Sequence, residues 1–184
     1  DRLRSRGLGD VYKRQVLDTR LRIPMESRLV QTAREVPVIV FCYAPDKDKK
    51  AALEAAGVTV LEAKLLPKEE LDELFMQLGE FQLSKEELNG RHISLRNCLE
   101  QLGQRGLDSV LIEGGATIHA AALQENCCDL VQVYVAPKLF GGDGLSPIGG
   151  MGITAPDKAV LLSEPTITRL GQDLLLEYTR KEQF

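Results

Sequence analysis

Five consecutive residues carry the clearest chemical pattern in the chain: Glu113-Gly114-Gly115-Ala116-Thr117. The acid ends a short apolar run, Ser109-Val-Leu-Ile, and the glycines open a segment reaching Leu123 with apolar residues at helical spacing. That grammar predicts a buried strand over 109–112, a tight turn and a helix. The first N–H groups of a helix have no acceptor within it, and the helix dipole makes that end positive. Such a turn therefore suits a phosphate. An ordinary βα connection has the same pattern, and spacing alone leaves both readings open.

Metal and thiol chemistry are poorly supplied. The four cysteines are Cys42, Cys98, Cys127 and Cys128, and the two histidines are His92 and His119. No CxxC pair or histidine cluster accompanies them, so no metal site is expected. Cys42 lies in the apolar run Val38-Ile-Val-Phe-Cys-Tyr and Cys98 on an apolar helical face, which predicts reduced, structural thiols.

The elements that must hold the turn come from the rest of the chain. Its 184 residues are enough for one domain burying roughly two-thirds of its unfolded surface. Hydrophobic content of 43% and charged content of 27% describe a globular protein. A formal charge of −4 argues against a nucleic-acid or anionic-membrane surface. No apolar run approaches the ~18 residues of a membrane span, and no signal-peptide pattern is present. A cytoplasmic location is expected.

Residues 1–15, DRLRSRGLGDVYKRQ, differ in character from the remainder of the chain. They hold five basic and two acidic residues, and setting them aside leaves 18 basic against 25 acidic, a balance of −7. Asp10 to Gln15, DVYKRQ, resembles the translated end of a transposon adapter used in preparing sequencing libraries. Residues 1–15 are therefore read as a non-native adapter scar and 16–184 as the domain. A natural basic arm is the alternative.

From Val16 the pattern is regular. Val16-Leu-Asp-Thr reads as the end of a strand, and 21–29 as a loop containing Pro24. Pro37 to Ala44 reads as a buried strand, Asp46 to Ala56 as a helix stopped by Gly57, and 58–61 as a strand. Pro67 to Gln82 reads as an amphipathic helix, with a capping box at Ser84 and Glu87. His92 to Gly103 reads as a helix and 130–135 as a strand. Gly141 to Gly152 reads as a glycine-rich loop. Ala159 to Leu170 and Asp173 to Thr179 read as a closing hairpin across Gly171. Strands alternating with helices make an α/β domain with a mixed sheet.

Three motifs in order, VLDTRLRIP (16–24), SVLIEGGATIHAAAL (109–123) and LVQVYVAPKLFGG (130–142), resemble the reductase domain of the riboflavin-biosynthesis deaminase/reductase. The resemblance implies a dihydrofolate-reductase-like α/β fold. Its sheet would be mixed and mostly parallel, flanked by helices, with a C-terminal antiparallel hairpin. It implies NADPH-dependent reduction of 5-amino-6-(5-phosphoribosylamino)uracil to the ribitylamino compound. An upstream zinc deaminase domain on the parent chain and a homodimer are implied too. No deaminase motif is present in these residues. The family's N-terminal third is also expected to be missing. That third holds its first strand, an aspartate-rich loop and an arginine for the substrate phosphate.

By the resemblance, Gly115, Ala116, Thr117 and Ile118 match the cofactor segment, where small residues let the backbone approach a pyrophosphate. Thr117 could equally cap the helix. Glu113 matches a substrate-contacting acid, and facing the helix dipole is its structural alternative. Thr19 matches a cofactor-contacting position, or else closes a strand-end turn with Asp18 as side-chain acceptor. Arg22 could hold the 2′-phosphate of NADPH, although a solvated loop arginine is the plainer reading. Lys138 could face substrate or fix the strand end. His119 is read as packing, and no catalytic proton donor is assigned. The competing readings are a related NADPH reductase of a diaminopyrimidine or pterin, and a non-catalytic cofactor-binding or oligomerising module.

Overall fold

The apolar run Val38-Ile-Val-Phe-Cys forms a strand with all five residues buried. A strand covered on both faces shows such a continuous run instead of an alternation. The computed structural model describes residues 13–66, 92–142, 144–151 and 153–180. They fall into two compact units, the first comprising 13–66 with 92–105 and the second the residues from Gly106 onward.

In the first unit, β1 (Arg14–Leu17), β2 (Val38–Cys42) and β3 (Thr59–Glu62) form a parallel sheet in that order. Val16 aligns with Val40, which aligns with Val60. β1 includes Arg14 and Gln15, two residues of the segment read as a scar, and Arg14 also donates to Thr32 Oγ1 at 3.1 Å. A single helical turn, α1 (Arg28–Gln31), begins within the stretch read as loop, because the Ser27 hydroxyl accepts from the Val30 amide. α2 (Lys47–Ala55) starts at Asp46, whose carboxylate accepts from Lys49 N at 2.9 Å. It stops at Gly57, whose φ of +98° disfavours any side chain. Leu53 of α2 packs with Val38, Val40 and Cys42 of β2, Val58 and Val60, and Leu21, Ile23, Val30 and Ala33 into one core.

The helix predicted from His92 begins later, as α3 (Leu95–Gly103), because the Ser94 hydroxyl caps it by accepting from Asn97 N. It buries Leu95, Cys98 and Leu102, with Cys98 on the apolar face expected for it. Gln101 Nε2 donates to Glu62 O, and Lys64 N donates to Asn97 Oδ1, fastening α3 to the chain leaving β3.

Cys42 is fully buried, and its sulfur lies 3.7 Å from Leu61 O. Burial first, and then the negative charge of Glu62, pushes its thiol from the ordinary 9.0 up to about 11. The reactive thiolate is thus suppressed. Iodoacetamide at pH 8 is expected to leave Cys42 unmodified in the folded chain and to label it in urea, as peptide mass spectrometry would show. The unfolded thiol ionises first, so this group's contribution to stability is complete below pH 9 and is lost as pH rises towards 11.

The second unit contains α4 (Ala116–Gln124), β4 (Leu130–Val135), a 3-10 turn at Pro156–Lys158, β5 (Thr166–Leu170) and β6 (Asp173–Thr179). The strands are antiparallel in the order β4-β6-β5. Leu170 pairs with Asp173, leaving a two-residue turn whose first residue, Gly171, has a φ of +65°. That matches the primed hairpin turns that fit strand twist. β5 starts at Thr166 instead of Ala159, because Pro165 has no N–H to give a ladder. Upstream, only the isolated bridge of Leu162 with Arg180 continues the pairing among the described residues. Arg180 also donates to Leu123 O at 2.8 Å, placing a cation at the C-terminus of α4.

One strand expectation is corrected. Ser109–Ile112 is not a buried strand: it pairs with no described strand, and Leu111 is 45% exposed. The apolar run alone does not make a strand without an edge to bond. The expected parallel sheet and C-terminal antiparallel hairpin are both present among the described residues, as two parallel ladders in the first unit and two antiparallel ladders in the second. The α/β class stands. The helix expected over 67–82 and the capping box at Ser84 lie outside the described residues. No described helix is long and apolar enough to cross a membrane.

Candidate functional site

The turn at 113–116 keeps its predicted opening. Gly115 is the N-cap of α4, with extended ψ of 179°, and no side chain caps the helix. Ile118 N and His119 N reach Gly115 O at 3.0 and 3.3 Å. Among the described residues, no acceptor meets the amides of Ala116 and Thr117, which are thus free for an external one. Nothing lies within 4 Å of where a Gly115 side chain would begin. An anion can approach this backbone closely.

Thr117 stands in the first turn with an exposed side chain, so the cap is Gly115 and not Thr117. The Ile118 side chain folds back against Gly114, where an added Cβ would lie 2.8 Å from Ile118 Cδ1. Glu113 is exposed two residues before the cap, and no hydrogen bond or ion pair engages its carboxylate among the described residues. Lys138 follows β4 in the same unit. It is exposed, and its amide donates to Ala136 O at 2.8 Å. No hydrogen bond or ion pair links Lys138 to the Glu113 turn among the described residues.

Thr19 belongs to the first unit, just past the C-terminal end of β1. Its carbonyl accepts from Tyr43 N at 2.9 Å. Asp18 forms the strand-end turn: its carboxylate accepts from Ile23 N at 2.7 Å and its carbonyl from Leu21 N at 2.9 Å. Leu21 is buried with a φ of +52°, and Ala44, just past the end of β2, has a φ of +44°. Non-glycine residues held there are strained and recur at functional sites. Ligands of open α/β sheets bind outside the carboxyl ends of parallel strands, which is where Thr19 lies. Arg22 is a solvated loop arginine, its side chain 80% exposed and 3.9 Å from the Asp18 carboxylate.

Sequence reading missed two contributors. Gly149 N donates to Ala116 O at 2.9 Å, and an added Cβ there would lie 3.2 Å from that same oxygen. His119 stands between Pro147 O, 2.8 Å from Nδ1, and Ile112 O, 3.3 Å from Nε2. Only the glycine richness of 141–152 marked this neighbourhood, and a contact 28 residues away leaves no local signal.

A parallel sheet with its helices in the first unit, and a helix with an antiparallel hairpin sheet in the second, make this an α/β protein. The chain belongs to the RibD C-terminal domain family, whose sequence model matches residues 6–176. It is 32% identical over 166 residues to the riboflavin biosynthesis protein RibD of Actinobacillus pleuropneumoniae, covering 90% of this chain and 38% of that protein. It is 35% identical over 92 residues to a 2,5-diamino-6-ribosylamino-4(3H)-pyrimidinone 5′-phosphate reductase of Methanothermobacter thermautotrophicus. That match covers 50% of this chain and 43% of the relative. Among solved structures, Acinetobacter baumannii RibD shares the fold with a TM-score of 0.65 at 24% identity, covering 91% of this chain and 37% of that one. The chain thus spans well under half the length of these relatives.

Proposed function

We propose that this domain performs the NADPH-dependent reduction of 5-amino-6-(5-phosphoribosylamino)uracil to its ribitylamino product, as part of a longer parent enzyme. The observation that carries the reading is the uncapped N-terminus of α4, with free amides at Ala116 and Thr117 beside open space at Gly115. Gly115 to Ile118 would hold the pyrophosphate of the dinucleotide through backbone amides. Bound NADPH supplies the hydride. Glu113 accepts hydrogen bonds from the substrate's ring or sugar hydroxyls, and its exposed, unengaged carboxylate suits that role. Thr19 adds a cofactor contact, and Lys138 attracts the substrate's anionic portion. Since the reaction turns on alignment, positioning is the protein's main contribution. The same reading includes a zinc deaminase domain upstream on the parent chain and a homodimer.

Likeness to the archaeal pyrimidinone phosphate reductase favours one second reading, reduction of a 2,5-diaminopyrimidine ribosylamino phosphate. Assaying both substrates with NADPH, monitored by absorbance loss, separates the two. NADPH fluorescence titration of this chain and of the longer parent tests the shared premise, and absence of binding by both overturns it. Glu113→Gln in the parent is expected to raise KM for the pyrimidine about tenfold, the weight of one charged hydrogen bond, with NADPH affinity within about twofold. Equal loss of both would make Glu113 structural.

A further inference from the structure

The segment Ser146–Gly149 rests against the first turn of α4. Gly149 N donates to Ala116 O at 2.9 Å, and Ser146 Oγ closes the segment on itself, donating to Ile148 O at 2.6 Å. The other tie is His119. A carbonyl oxygen only accepts, so the 2.8 Å contact with Pro147 O is a donation from Nδ1–H. A neutral ring then has no proton left on Nε2, so its lone pair faces Ile112 O at 3.3 Å without a hydrogen bond, and the anchoring falls to Nδ1 alone. Ala116, on the turn that the segment covers, supplies one of the two amides free for an anion.

We infer that His119 is a positioning residue. Through Nδ1–H to Pro147 O it seats Ser146–Gly149 against the first turn of α4 and so fixes one wall of the anion-binding turn. The consequence for NADPH rests on the function proposed above, whereas the anchoring does not. The short bond joins residues 28 apart in sequence, so it closes a long loop one residue past the proposed cofactor segment.

Asparagine can place an N–H near the position of Nδ1, glutamine near that of Nε2, and leucine supplies neither. In the 184-residue chain, His119→Leu is expected to speed amide hydrogen exchange at Ile148 and Gly149 roughly fivefold, the weight of one net hydrogen bond. His119→Asn should restore exchange to within about twofold of the parent chain, and His119→Gln should behave like leucine. Dissociation constants for NADPH should follow the same order. If asparagine exchanges as fast as leucine, or glutamine protects as well as asparagine, the anchoring is overturned. If exchange keeps the expected order but the NADPH constants do not, the role as a wall of the cofactor site is overturned while the anchor stands. If neither the unsubstituted chain, nor any variant, nor the longer parent enzyme binds NADPH, the proposed function fails, and the exchange data still decide the anchor. Ring 15N spectra of the unsubstituted chain need no folded variant: a proton on Nδ1 of His119 supports the inference, and an unprotonated Nδ1 in a neutral ring refutes it.

Discussion

Gly115→Asp is expected to weaken NADPH binding roughly a hundredfold while leaving the fold as stable as before, or more so by about 0.5 kcal/mol. The two effects have opposite signs because one position serves two purposes. As the N-cap of α4, residue 115 has the backbone shape that aspartate favours, and its side chain would accept from the free amides of the first turn. A negative charge there also complements the helix dipole. Nothing lies within 4 Å of the new Cβ, so no clash opposes the change. The same carboxylate would occupy the amides that we propose hold the pyrophosphate, and would repel its charge. Two like charges about 4 Å apart near a protein surface cost on the order of a few kcal/mol, hence the hundredfold. Fluorescence titration reads the affinity and a urea transition reads the stability. An aspartate variant that binds NADPH as tightly as the parent would move the phosphate away from α4. A plain βα connection predicts the stability gain alone.

Leu53→Ala is expected to destabilise the first unit by about 2–5 kcal/mol. Leu53 is the buried residue of α2 and is fully enclosed. Its neighbours in the core come from β2, from Val58 and Val60, and from the 21–33 segment. Truncation removes the transfer energy of the lost carbons and leaves a cavity that a three-stranded sheet cannot readily collapse. Against a total stability of typically about 5–15 kcal/mol, such a loss moves the urea midpoint far down. Circular dichroism against urea measures it, and a change below about 1 kcal/mol would show that α2 does not seal this face. The strand-end turn at Asp18–Ile23 should loosen in parallel, because Leu21 and Ile23 share the same core.

How much of this was legible beforehand differs between elements. β2 was readable because five consecutive apolar residues, three of them β-branched, have no exposed position to fill. α2 was readable because Asp46 and Gly57 bracket it with a cap and a left-handed stop. Ser109–Ile112 misled for the converse reason: its composition suits a strand, but a strand exists only where an edge accepts its hydrogen bonds. β5 was overextended because the apolar pattern of 159–170 outweighed Pro165, whose missing N–H decides the boundary.

At the site, the sequence by itself determined the chemistry available. Glycines, an acid and a helix start within a few residues mark where amides lack an acceptor within the helix, since those groups are set by local backbone geometry, but leave a phosphate turn and a plain βα connection both open. The order of three motifs then fixed the family. Only the tertiary structure decided that Gly115, and not Thr117, caps α4, that Arg22 stays in solvent, and that Gly149 and His119 join the turn. The physical reason is the range of the interactions. Caps, turns and helix faces are written within four residues, whereas a carbonyl that finds its donor across 28 residues depends on how the chain closes.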